Sequence, residues 1–254
     1  MSLYSKYQDA IKLQLILNKE EWNFKSDEDY TFVLEHVGCD HGHIYLHAIK
    51  NKFQQFYELN FEFLKKICCL NDKYGKSKKF QIDNFMTCSP TNIRYLFQTL
   101  YILEDMKKYK LNNIDIIEIG GGYGGLCFFI HSIAPLYDIN INSYTIFDLL
   151  EASLLQEKYL NALNIEKVQF YQLDNFNNLK NNSFLISNYA FSEFPKELQI
   201  EYTEKIINPY TIFGFLAWNF IPVYNFVDNS IIKIEKDDLL YDLYVRYYPN
   251  SNLL

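Results

Sequence analysis

The sequence predicts a doubly wound α/β fold: a mostly parallel sheet in the C-terminal two thirds, with an N-terminal helical cap. Three observations predict it. From about Asn113 onward apolar strand-like runs alternate with helix-like runs, which implies parallel strands covered on both faces. One such strand, Ile114-Asp115-Ile116-Ile117-Glu118-Ile119, runs straight into Gly120-Gly121-Gly122-Tyr123-Gly124-Gly125. The first eighty or so residues lack the alternation and read as helical: Phe53, Phe56, Tyr57, Asn60, Phe63, Leu64 and Ile67 recur at helical spacing, with Glu58, Glu62 and Lys66 off that face.

The elements follow in order. Asn71-Asp72-Lys73-Tyr74-Gly75 ends the last cap helix. Ser89-Pro90-Thr91 opens another, since Ser is a good N-cap and Pro suits the first helical position, where no donor is needed. Ile93, Leu96, Phe97, Leu100, Tyr101 and Leu103 give it an apolar face, and Lys107, Lys108 and Lys110 suit its C-terminal dipole. Strands are expected at 114–119, 142–147, 167–171, 183–187 and 211–218, with helices near 124–134, 150–163 and 195–207 between them. Strands near 230–235 and 242–248 complete the sheet, with room for an antiparallel edge. The chain divides into a cap and substrate region, 1–80, and a ligand-binding sheet domain, 81–254.

Bulk properties exclude several function classes. The 254 residues carry a formal net charge of −7, and the one lysine-rich stretch, Lys73 to Lys79, is short and reads as a solvated loop. A duplex-binding protein needs a basic face to displace counterions, so no nucleic acid is expected as partner. Cys39, Cys68, Cys69, Cys88 and Cys127 are odd in number and form no CxxC, which suits free thiols in a reducing compartment. The opening Met1-Ser2-Leu3-Tyr4-Ser5-Lys6 does not resemble a signal peptide, so a cytoplasmic location is expected. The longest apolar stretch, Ile212 to Val223, is broken by Asn219 and Pro222 and is too short to span a bilayer.

The glycine segment admits two readings. Gly120, Gly122 and Gly125 satisfy the dinucleotide pattern GxGxxG, which an NAD-binding oxidoreductase would use. Glu118, Gly120, Gly122 and Gly124 satisfy a different pattern, an acid followed by alternate glycines, which suits S-adenosylmethionine (SAM). Glu118 favours the second. A carboxylate there would repel an anionic pyrophosphate, whereas SAM carries an ammonium and a sulfonium. Asp148 ends the next strand, where an acid can accept both ribose hydroxyls; it could equally cap the following helix. Asp174-Asn175 follow the third strand, where an adenine amino group would lie. Tyr123, Leu149 and Asn188 complete the expected cofactor site.

The chain also resembles the sugar O-methyltransferases of bacterial capsule and polysaccharide gene clusters, from about Phe56 to the C-terminus. The resemblance rests on Asn71-Asp72-Lys73-Tyr74-Gly75, Ser89-Pro90-Thr91-Asn92-Ile93-Arg94-Tyr95, Glu118 to Gly125, Phe147-Asp148-Leu149 with Leu155-Gln156 and Tyr159-Leu160, and Ser187-Asn188-Tyr189-Ala190-Phe191-Ser192-Glu193. Leu150 stands where that family tends to have proline, and Asn92 where it more often has threonine. The resemblance implies a seven-stranded, Rossmann-like class I methyltransferase sheet with a helical cap, and methylation of a hydroxyl on a sugar or sugar precursor.

Methyl transfer to a hydroxyl needs orientation and removal of a proton. Glu193 follows the fourth strand, at the sheet crevice, and is the first candidate base. Asp72, from the cap, is the second. Arg94, Tyr123, Ser192 and His43 are expected to contact the small-molecule acceptor, which is a sugar, nucleotide-sugar or phosphorylated precursor. Arg94 or Lys76 would neutralise a phosphoryl or phosphoramidate oxygen, the alternative acceptor. His43 and His47 share a helix face beside Cys39-Asp40-His41, but a polar loop is favoured over a metal site, and no metal is expected. An inactive SAM-binding subunit and a homodimer remain open readings.

Overall fold

The computed structural model describes residues 3–34, 37–219, 221–237 and 242–249. Seven strands form one sheet: β3 (Asn113–Ile119), β4 (Asn140–Phe147), β5 (Val168–Tyr171), β6 (Ser183–Asn188), β7 (Thr211–Trp218), β8 (Ser230–Lys236) and β9 (Leu243–Pro249). A two-stranded antiparallel ribbon, β1 (Phe80–Ile82) and β2 (Met86–Cys88), precedes them. The sheet order is β5-β4-β3-β6-β7-β9-β8. Strands β3 to β7 pair in parallel, and β9 enters antiparallel between β7 and β8. The expected strands are thus present, and the antiparallel feature lies one position inside the edge.

The helices before the sheet are α1 (Leu3–Ile16), α2 (Glu28–Leu34), α3 (Cys39–Lys52), α4 (Gln54–Leu59), α5 (Phe61–Asn71) and α6 (Pro90–Lys108). Within it lie α7 (Gly125–Ile133), α8 (Leu150–Ala162), the short α9 (Ala190–Glu193) and α10 (Lys196–Tyr202), which a π turn at Thr203–Ile207 prolongs. The burial pattern assigns each strand face to a layer. Ile114, Ile116, Tyr144 and Ile146 pack towards the residues of α6, α7 and α8. Ile117, Ile119, Phe147 and Leu185 pack on the other side with Phe191, Tyr202, Ile206 and Trp218. Both sheet faces are therefore covered, as near-continuous apolar strands require.

The cap rests on the first of these layers, α1 on α8, α3 on α6 and α5 on α7. Three details differ from expectation. The single helix expected across 53–67 is broken at Phe53 and Asn60 into the ends of α3, α4 and α5, each break residue capping two helices. The ribbon, not expected from the sequence, follows the charged loop that ends at Lys79, and the expected boundary after residue 80 falls inside it. Ser89 occupies the N-cap of α6 but makes no side-chain cap bond; the Asp72 carboxylate accepts from its backbone N–H instead, at 2.8 Å.

Candidate functional site

The chain runs β3, β4, β5 outward in one direction, then returns to place β6 on the other flank of β3. That reversal opens a crevice at the carboxyl ends of β3 and β6, the place where open α/β sheets bind ligands. The glycine turn closes β3 there, and Asn188-Tyr189-Ala190 closes β6. The two turns touch: a Cβ built on Gly120 would lie 2.1 Å from that of Ala190. Gly120 and Gly122 have φ of +75° and +59°, a region that only glycine visits cheaply. Ser187 joins the layers, its hydroxyl donating to Ile119 O at 2.8 Å and accepting from Phe191 N at 3.1 Å.

Asp148, at the end of β4, is drawn into the glycine turn. One carboxylate oxygen accepts from Leu149 N, the other from Gln156 Nε2, each at 2.8 Å. The backbone N–H groups of Gly121 and Gly122 also favour its charged form. Burial raises its pKa to about 6, opposed by these four donors. Leu149, next to it, is exposed. Asp174 and Asn175 lie exposed in the turn after β5, closed by a bridge between Gln172 and Asn175. These four residues and the glycines share the carboxyl edge of the sheet.

Glu118 lies one layer below. It faces the α7 side, 2 % exposed, and accepts from Tyr144 Oη at 2.8 Å. Burial raises its pKa to about 8; the Tyr144 hydrogen bond opposes this, and the charge of Asp148 adds to it. Burial therefore favours the protonated form of this carboxyl under the turn, where the sequence pattern suggested an anion.

Several expected site residues are committed elsewhere. Tyr123 points away from the crevice into the cap: it is 1 % exposed, packs among Phe24, Tyr95 and Tyr159, and accepts from Asn71 Nδ2 at 3.0 Å. Asp72 uses both carboxylate oxygens inside the fold, accepting from Ser77 Oγ at 2.9 Å and from Ser89 N. His43 is paired with Asp83, in the turn of the ribbon, at 2.7 Å. Ser192 is buried and donates to Tyr189 O at 2.7 Å. Gly124 is the left-handed N-cap of α7, packed near Leu160. Cofactor and acceptor roles for Tyr123, Ser192 and His43, and a proton-accepting role for Asp72, conflict with these contacts. Among the described residues no group of histidine, cysteine and acidic side chains could hold a metal.

At the mouth of β6 and β7 the structure gathers Arg94, Asn188 and Glu193, which the sequence singled out, with Tyr45 and Asp242, which it did not. Asp242 accepts from Tyr189 Oη at 2.9 Å and from Tyr45 Oη at 3.2 Å. Its pKa is raised by burial, and both hydroxyls and Arg94 oppose the rise. The Arg94 guanidinium lies over the rings of Tyr95 and Tyr189, at 5.6 and 5.9 Å from their centroids. Tyr189 itself has φ of +69°, an outlier for a bulky residue, of the kind that concentrates at functional sites. Asn188 donates to Gln98 Oε1 at 2.9 Å, while its own Oδ1 is buried without a partner. Glu193 is exposed and accepts from Asn219 Nδ2 at 2.9 Å, linking the ends of β6 and β7. Arg94, Asn188 and Glu193 carried a sequence signal; Tyr45 and Asp242 did not, since they are 197 residues apart and nothing local joins them.

No helix among the described residues is long and apolar enough to cross a membrane. No family model and no curated protein matches the chain. Its fold is similar to that of a SAM-dependent methyltransferase from Aquifex aeolicus, at 15 % identity and TM-score 0.44, over 60 % of this chain and 90 % of that one. It is similar to OxaC in complex with SAH and oxaline, at 14 % identity and TM-score 0.45, over 60 % of this chain and 47 % of that one. It is also similar to PKMT2 from Rickettsia typhi in complex with AdoHcy, at 18 % identity and TM-score 0.38, over 49 % and 26 %. The chain thus spans under half the length of the last two. Seven strands, mostly parallel, with one reversed strand and helices on both faces, make this a doubly wound, Rossmann-like sheet.

Proposed function

We propose that the protein is a SAM-dependent methyltransferase that methylates a hydroxyl of a sugar or sugar precursor. The observation that carries the cofactor reading is Asp148: a carboxylate at the end of β4, tied to the glycine turn of β3 at the point where the sheet order reverses. An acid so placed suits the two ribose hydroxyls of a nucleoside, and the positive-φ glycines let a ligand approach the backbone. The residues fit the group in a second respect. Gln156 Oε1 and Asn188 Oδ1, which border the two turns, are buried acceptors without partners, and a ligand rich in donors would satisfy them. Asp174 and Asn175 suit the adenine edge, and the exposed Leu149 suits its face.

When bound, SAM supplies an electrophilic methyl on a sulfonium. The chain's own task is then to hold the acceptor oxygen in line and take its proton. Glu193 is the proposed base, since its exposed carboxylate borders the ends of β6 and β7. Arg94, Tyr189 and Asp242 supply hydrogen-bonding groups that suit a polyhydroxylated acceptor. The resemblance to the sugar O-methyltransferases supports this acceptor class.

Asp148→Ala is expected to weaken binding of S-adenosylhomocysteine (SAH) by about 1–3 kcal/mol, because it removes the partner of the ribose hydroxyls. The wild type is expected to lose SAH affinity as pH falls through about 6, where Asp148 takes a proton, and the alanine variant to show no such step. Calorimetric titration with SAH and with NAD tests the reading. Tight NAD binding and none of SAH would sink it.

A further inference from the structure

Gln156 ties Asp148 to the glycine turn, and its surroundings do not explain it as packing. It lies on α8, eight residues past Asp148, and is 0 % exposed. Its Nε2 donates twice, to Asp148 Oδ2 at 2.8 Å and to Gly122 O at 2.9 Å. An amide nitrogen has two hydrogens, so both are spent on the turn and the acid. Its Oε1 is buried and has no partner. A buried amide with an orphaned carbonyl costs free energy that an apolar side chain of similar size would not.

We propose that Gln156 is a positioning residue for the nucleoside: it fixes the spacing between the Asp148 carboxylate and the Gly122 carbonyl so that the acid meets a vicinal diol. This rests on the cofactor reading above. A carboxylate has about four lone-pair sites. Here Leu149 N takes one on Oδ1 and Gln156 Nε2 one on Oδ2, which leaves one site on each oxygen for a hydroxyl. The backbone donors move only with the turn, whereas Gln156 swings on its own side chain. Gln156 therefore sets the orientation of Oδ2, the oxygen with no donor from its own loop, and keeps it ionised. Without Gln156 the carboxylate keeps only its bond from Leu149 N and can turn as a whole about that contact, and the carbonyl of Gly122 loses a partner.

The test uses SAH and its 2′-deoxy analogue, titrated calorimetrically into the wild type, Gln156→Leu and Gln156→Glu. The leucine variant keeps volume and burial and removes both hydrogen bonds. It is expected to bind SAH about tenfold more weakly than the wild type but to bind the deoxy analogue with nearly wild-type affinity, so the loss follows the hydroxyl. Gln156→Glu, which sets a second carboxylate against Asp148, is expected to lose at least as much. Unchanged far-UV circular dichroism and melting identify the folded variants; where leucine does not fold, the glutamate variant carries the comparison. An equal loss for both ligands, or none for either, overturns the positioning role while leaving the cofactor reading intact. A wild type that binds no SAH overturns the cofactor reading first, and this inference with it.

Discussion

Glu118→Gln is expected to raise the stability of the ligand-free protein by about 3 kcal/mol at pH 7. The wild-type carboxyl is buried at 2 % exposure, and its pKa is raised from 4.5 to about 8. Because the folded value lies above the unfolded one, the folded state binds the proton more tightly. The wild type is thus most favoured below about 4.5 and loses stability as pH rises towards 8. Each unit is worth 1.36 kcal/mol, so roughly two and a half units at pH 7 give the figure above. Glutamine keeps an oxygen for Tyr144 Oη and has no proton to trade. Urea unfolding at pH 4.5 and pH 8 checks this: the two proteins should converge at the lower pH and part at the higher. A constant difference across that range would mean that burial does not hold the proton on Glu118.

Glu193→Gln is expected to lower turnover about 10²–10⁴-fold while SAH affinity stays nearly unchanged, the signature of a lost proton acceptor. Glutamine preserves an oxygen for Asn219 Nδ2, so the ends of β6 and β7 stay joined. Asp72→Asn is the comparison. Because both Asp72 oxygens accept inside the fold, it should cost about 1–3 kcal/mol of stability and leave turnover per folded molecule alone. Transfer of labelled methyl from SAM to a panel of glycosides and sugar phosphates measures both variants. If Asp72→Asn carries the large loss instead, the base belongs to the cap. If neither variant loses activity, the acceptor is already an anion, and the phosphoryl oxygen replaces the sugar hydroxyl.

Local signals made the sheet legible. Strands β3, β6 and β7 are rich in apolar residues, the glycine turn marks its own junction, and Pro90 marks the start of α6, so the periodic pattern and the turn chemistry agree. The residues proposed for the cofactor edge were marked in a similar way, since Asp148 directly follows β4 and Asp174 stands three residues past the end of β5. Side-chain direction was not. Glu118 and Tyr123 flank the turn in sequence, yet strand alternation sends one under it and the helix entry sends the other into the cap. Asp72 reads as a turn residue and as a base equally well; only the fold shows that it caps a helix 17 residues later. The group around Asp242 draws on α3, α6, the end of β6 and the start of β9, and no window of sequence holds all four.

The cap also bears on how the molecule comes apart. Lys25, 4 % exposed, enters from the segment between α1 and α2 and donates to Asn71 O and to Tyr159 Oη. Its ammonium lies 4.3 Å from the ring centroid of Tyr123 and 4.7 Å from that of Tyr159, residues of the glycine turn and of α8. A buried cation survives only with such partners, and two of them, Tyr123 and Tyr159, lie beyond the cap in the sheet region. Cap and sheet are therefore one cooperative unit: heat should melt them in a single transition seen alike by near- and far-ultraviolet circular dichroism. A fragment spanning 81–254 would strip the cover from Tyr123, Tyr159 and the apolar faces of α6 and α8, and should aggregate rather than survive as a free-standing ligand-binding core.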